Sequence, residues 1–105
     1  MLTNVEFNLD KKIVEEIYEI ACKYNGIHKI LLFGSRARMD NSPKSDIDLA
    51  IYIDDTSSNL SDFIYEIENN TSTLLEFDFT NINEVHDTFF IEQVEREGIP
   101  IYEKC

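Results

Sequence analysis

Gly34 and Ser35 follow a short apolar run, Ile30-Leu31-Leu32-Phe33, and lead into Arg36-Ala37-Arg38. After a gap of ten residues comes Asp46-Ile47-Asp48, which opens a second apolar stretch. These residue types suit a phosphate and a metal ion. A Gly-Ser turn between a strand and a short helix offers backbone N–H groups and a hydroxyl to a phosphate. Gly34 lets the backbone approach closely, because it has no Cβ. Arg36 and Arg38 add positive charge beside the turn. Carboxylates at i and i+2 of a strand share one face. Mg²⁺ takes oxygen ligands, typically one or two carboxylates plus the phosphates of a substrate. A phosphate cradle beside paired carboxylates is therefore what a metal-dependent nucleotide site needs.

The spacing of the carboxylates carries no signal by itself. Asp and Glu make up 21 of 105 residues, so roughly four acidic pairs at i, i+2 arise by chance when the pattern is counted rather than judged by eye. The chain has four: Asp46/Asp48, Glu66/Glu68, Glu76/Asp78 and Glu95/Glu97. Context singles out the first. Ile47, Leu49, Ile51 and Ile53 alternate with it on the face that can bury, and the Gly-Ser turn lies just upstream. The bland alternative is an edge strand with a polar face.

The run Leu32-Phe33-Gly34-Ser35-Arg36-Ala37-Arg38, continued by Ser45-Asp46-Ile47-Asp48-Leu49, resembles the signature of the polymerase-β-type nucleotidyltransferase superfamily. Within it the chain is similar to the minimal nucleotidyltransferase (MNT) proteins, many of them antitoxins paired with a HEPN-domain toxin. The resemblance extends to Gly98-Ile99-Pro100-Ile101-Tyr102. It implies an α/β nucleotidyltransferase-like fold and transfer of AMP from ATP to a tyrosine hydroxyl of a cognate HEPN ribonuclease toxin. It also implies two Mg²⁺ ions held by Asp46, Asp48 and a third carboxylate on a later strand. Asp78 matches that third position by its distance from the C-terminal helix, and could also accept the proton of the attacking hydroxyl; Glu76, on the same face, is its rival. Gly34, Ser35, Arg36 and Arg38 become the nucleotide-binding set. One departure is Met39, where the family usually has Gly.

The elements that must position these residues read as a small mixed sheet of three to four strands with flanking helices. A helix spans about Asp10 to Tyr24, with Ile13, Ile17, Ile20, Ala21 and Tyr24 at helical spacing. Asn8 or Asp10 can cap it, and Asn25-Gly26 stops it. Cys22 reads as a small core residue, and His28 falls in the connection that follows. Strands are expected at about Lys29–Phe33 and Asp46–Ile53, joined by a polar loop that includes Lys44. After a polar loop at 54–59, a second helix runs from Leu60 to Asn69, capped by Ser58 or Ser61, burying Leu60, Phe63, Ile64 and Ile67. Leu74–Phe79 alternates as a strand, with Leu75, Phe77 and Phe79 on one face and Glu76, Asp78 and Thr80 on the other. A third helix runs from Glu84 to Glu97, capped by Asn83 and closed by Gly98, with Val85, Phe89, Phe90 and Val94 on its apolar side and His86 on its surface. The tail is a short edge strand at best, since Pro100 cannot donate to a ladder. Two helices are expected on the sheet face opposite the carboxylates, and the site is expected to be an open groove, since so short a chain has no second domain to close over it.

A chain of 105 residues fits one domain, residues 1–105, with one modest core. It has no apolar run long enough to span a membrane and no signal-peptide pattern, so the cytoplasm is the expected location. Cys22 and Cys105 suggest neither a disulfide framework nor a metal cluster. A net charge of −12 argues against direct nucleic-acid binding, which needs a basic stripe. It suits solubility, a small-molecule site or a basic protein partner. A second function class is thereby kept: a stoichiometric antitoxin whose acidic surface masks a basic toxin without catalysis.

Overall fold

The structure, a computed structural model, describes residues 9–53 and 60–104. The expected caps Asn8 and Ser58, the 54–59 loop and Cys105 lie outside the described residues. Strands β1 (Ile27–Phe33), β2 (Ile47–Ile53), β3 (Phe77–Asn81) and β4 (Ile99–Glu103) form one mixed sheet in the order β3-β2-β1-β4. Helices α1 (Lys11–Ala21), α2 (Ser35–Arg38), α3 (Leu60–Asn70) and α4 (Thr88–Glu97) connect and flank them. β1 is antiparallel to β2 and β4, whereas β2 and β3 run parallel. A parallel pair needs a crossover, and α3 supplies it.

Strand alternation divides the core in two. Ile30, Leu32, Ile47, Leu49, Ile51 and Ile101 face α1 and α3, meeting Ile13, Ile17, Ile20, Phe63 and Ile67. Each such side chain contributes about 1.5–3 kcal/mol when fully buried. Phe63 also meets Tyr24 and Phe79 edge-on, at 5.6 and 6.4 Å between ring centres. The opposite face carries Leu31 and Ala50, which pack with Ile82 and Val94 and with the half-buried Phe33, Tyr52, Phe90 and Ile91. Asp48 and Tyr52 alternate with Ala50, so this is the carboxylate face. The two helices expected opposite the carboxylates are α1 and α3, and the carboxylate face is covered as well. Leu31 and Ala50 need cover, and α4 with the 3-10 turn Ile82–Glu84 provides it.

Several boundaries differ from the sequence reading, each for a local reason. α1 starts after Asp10, whose side chain accepts the Lys12 N–H. Cys22 is exposed, one step round the helix from the buried Ala21. His28 lies within β1, not in a connection. β3 begins three residues later than expected, and Leu74 is exposed. α4 is capped by Asp87, which accepts the N–H groups of Phe89 and Phe90, and not by Asn83. Asn83 instead accepts the Ile53 N–H at 3.0 Å, tying the 3-10 turn to the end of β2. His86 therefore precedes the helix, and Phe89 points outward, 82% exposed.

Gly98 does close α4, for a steric reason. A Cβ there would lie 2.9 Å from Leu31 Cδ1, so the chain can turn tightly into β4. β4 is an edge strand, and Pro100 sits at the irregularity in its pairing with β1. A proline is tolerated there because no ladder donor is required. No described helix is long and apolar enough to cross a membrane.

Candidate active site

Asp48 lies in the middle of the arrangement. In the parallel ladder it pairs with Asp78, and across the antiparallel ladder with Phe33. Residues paired across a ladder point to the same face, so Asp48 and Asp78 stand side by side on adjacent strands. Asp46 is exposed one residue before β2, which begins one residue later than expected. Its charge still reaches Asp48. Glu76 lies just outside β3, where its carbonyl accepts the Ile47 N–H at 2.9 Å. The rival carboxylate is thus one ladder step away, and Asp78 is the one flush with Asp48.

Gly34 explains how the turn and the carboxylate share space. Its backbone adopts φ 77°, ψ −155°, a combination essentially confined to glycine. A Cβ at this position would run into the Asp48 carboxylate, with Asp48 Cγ only 3.0 Å away. The missing side chain leaves the room that Asp48 fills. Ser35, half-buried, opens α2 directly after it.

Burial raises the Asp48 carboxyl from 3.8 to about 6. The neighbouring charges of Asp78 and then Asp46 push it the same way, and Arg38 and Arg36 offset only part of this. An all-oxygen, under-neutralised donor set fits a hard divalent cation. Among the described residues no group of three or more His, Cys, Asp or Glu side chains is already gathered into a metal cage.

Residues 15–105 match the sequence pattern of the family described as polymerase beta, nucleotidyltransferase. The chain belongs to this nucleotidyltransferase family. A relative from Methanocaldococcus jannaschii, MJ0604, whose name describes it as a protein adenylyltransferase, is 42% identical over 71 residues, 67% of this chain. The match spans 65% of that relative's length. Among solved structures, a toxin–antitoxin with AMP-PNP superposes with a TM-score of 0.68 at 19% identity, covering 91% of this chain and 75% of that one. A mutant of the MntA-HpeT toxin–antitoxin gives 0.66 at 18% identity, covering 87% and 73%. At such identity the likeness is one of fold.

The two arginines have different surroundings. Arg36 is only 5% exposed. Its Nε and Nη2 donate to the Ser45 carbonyl at 3.2 and 3.0 Å, and Nη2 also reaches the Pro43 carbonyl at 3.3 Å. The sequence reading gave it a phosphate; in the fold its Nε and Nη2 hold the loop that delivers Asp46 and Asp48. Nothing local in the sequence signals this, because the partners are carbonyls that the loop brings back. Arg36→Ala should cost about 2–3 kcal/mol, since the part-buried Ser45 and Pro43 carbonyls lose charged donors. Denaturant unfolding checks this, and Arg36→Lys should not rescue it, lacking the planar fork. Arg38 is exposed and donates to Asp40 and Glu97. Lys44 is exposed at the loop.

Met39 stands at φ 65°, ψ 28°, the left-handed conformation, at the C-terminus of α2. A side chain there costs about 1–2 kcal/mol, which is why glycine suits the position. Met39→Gly should stabilise the fold by about 1 kcal/mol after the added freedom of the unfolded chain is counted. A melting temperature about 4–8 °C higher is the expected readout.

Proposed function

We propose that this protein transfers AMP from ATP to a tyrosine hydroxyl of a cognate HEPN ribonuclease toxin and thereby silences it. The observation that carries the reading is the in-register pair Asp48–Asp78, with the Gly34 turn packed against the Asp48 carboxylate. Membership of the nucleotidyltransferase family supports the reaction type. The named adenylyltransferase relative supports a protein acceptor, and the toxin–antitoxin neighbours support the partner class.

The reaction is an in-line displacement at the α-phosphorus. The acceptor oxygen forms a bond to phosphorus, the bond to the bridging α–β oxygen breaks, and pyrophosphate leaves. Asp78, exposed at the outer strand, takes the proton of the attacking hydroxyl. Ser35 and the turn's N–H groups hold the terminal phosphates, and Arg38 supplies positive charge at the rim. Arg36 clamps the 39–45 loop and so fixes where Asp46 and Asp48 enter the sheet. Asp46, Asp48 and Asp78 would hold Mg²⁺, two ions by the family's pattern; when bound, these offset charge on the attacking and leaving oxygens.

Mass spectrometry of a co-expressed HEPN partner tests the reading. A gain of about 329 Da per AMP, the nucleotide less pyrophosphate, should occur with the native chain and not with Asp46→Ala/Asp48→Ala. Equal neutralisation by the double variant with no mass gain would overturn the enzyme and leave the stoichiometric mask.

A further inference from the structure

Arg38 is the exposed cation at the rim of the carboxylate face, and two carboxylates of the chain hold it. Its Nε donates to Asp40 Oδ2 at 3.1 Å and its Nη1 to Glu97 Oε1 at 3.2 Å. Asp40 is a near neighbour in sequence. Glu97 is not; it comes from the last turn of α4. Its position is set by packing. Val94, one turn earlier, is buried with Leu31, and Gly98, one residue later, leaves no room for a Cβ beside Leu31. The core therefore delivers Glu97 to Arg38.

We propose that Glu97 is a positioning residue that competes with nucleotide phosphate for Arg38. The inference rests on the nucleotide-binding reading above. Arg38, Asp40 and Glu97 together carry a net negative charge, and the Arg38 charge reaches Asp48. While Glu97 keeps the guanidinium, the rim repels a polyphosphate. A phosphate that recruits Arg38 gains a charge-assisted bond and leaves Glu97, the less exposed of the two carboxylates, without its cation. That cost is subtracted from nucleotide affinity, as it is for any binding that must first break an internal contact. Glu97 recovers Arg38 when pyrophosphate departs, so the same contact favours product release.

Calorimetric titration with α,β-methylene-ATP and Mg²⁺ tests this, since the bond that transfer breaks is blocked in that analogue. Glu97→Gln should bind about three- to fivefold more tightly, the range expected for losing one partly exposed ion pair. Glu97→Asp, which keeps the charge but shortens the reach, should move the same way. Both gains should vanish in an Arg38→Ala background, and Glu92→Gln on the same helix should bind like the native chain. A gain that survives Arg38→Ala, or that Glu92→Gln reproduces, would mean bulk charge and overturn the competition. Native binding with unchanged or weaker affinity in both Glu97 variants would overturn it while leaving the nucleotide site standing. No binding by the native chain would overturn both.

Discussion

Asp48→Asn should abolish nucleotidyl transfer and, in the absence of metal, make the protein more stable. The two effects have one origin. Burial and the charges of Asp78 and Asp46 raise the Asp48 carboxyl from 3.8 to about 6. A group whose proton is held more tightly in the fold than in the unfolded chain binds more protons when folded. Stability therefore falls as pH rises from about 4 through about 6, and the charged form carries the cost above that. A rise of this size corresponds to about 3 kcal/mol in a fully buried setting, which solvent screening at a half-exposed carboxylate reduces to about 1 kcal/mol. Asparagine removes the charge and keeps the shape. Its melting temperature should exceed that of the native chain by about 4–8 °C at pH 7.5 and by little at pH 4. Mg²⁺ should close the gap by raising the native chain alone. Transfer should drop by about a thousandfold or more, because several kcal/mol of transition-state charge stabilisation disappear. Melting curves at the two pH values, with and without Mg²⁺, and turnover of ATP check each part. Strong destabilisation of Asp48→Asn at pH 7.5 would make the carboxylate structural and defeat the metal reading.

Gly34→Ala should strongly damage both the fold and the site. Two costs combine. The backbone conformation of Gly34, φ 77° and ψ −155°, costs about 1–3 kcal/mol for any residue with a Cβ. The added carbon also meets the Asp48 carboxylate, which has to swing or push the turn away. A total of about 3–4 kcal/mol is expected, with nucleotide affinity falling further than stability predicts, because the turn and the carboxylate move apart. The combination has an internal check. In an Asp48→Ala background the clash disappears and only the backbone cost remains, so the penalty of Gly34→Ala should shrink by about 1–2 kcal/mol, the coupling expected of residues in contact. Additive penalties would show that the glycine serves the turn alone.

The centre of the site was legible because its signal is local. Gly34, Ser35, Asp46 and Asp48 lie on a short stretch, with apolar alternation on both sides. Asp78 was legible although β3 was placed three residues too early. Side-chain parity survives such an error, since Glu76, Asp78 and Thr80 keep one face wherever the strand begins. Leu74 and Leu75 continued the alternation into what the fold uses as a loop, which is why the strand was drawn toward them. The start of α4 failed for a different reason. Asn83 and Asp87 are both sound caps, and the choice between them is made by the Ile53 N–H that Asn83 satisfies. Phe89 was read as core because a helix started at Glu84 brings its stripe round to it. The role of Arg36 was out of reach, because a long side chain finds backbone carbonyls only after the loop has returned.

The sheet order also has a consequence for the sequence of events in folding. β1 and β2 are separated by one short helix and a loop, so their ladder closes at modest entropic cost. β4 joins β1 from the far end of the chain, pairing Leu32 with Ile99 across everything in between. Contacts that close so long a segment form late and open early. Asp48 and the Gly34 turn belong to the early pair. Glu97, at the hinge between α4 and β4, belongs to the late one. A partial opening that frays β4 would therefore release the rim before it disturbs the carboxylates, and amide exchange should protect Leu49–Ile51 longer than Ile101–Glu103.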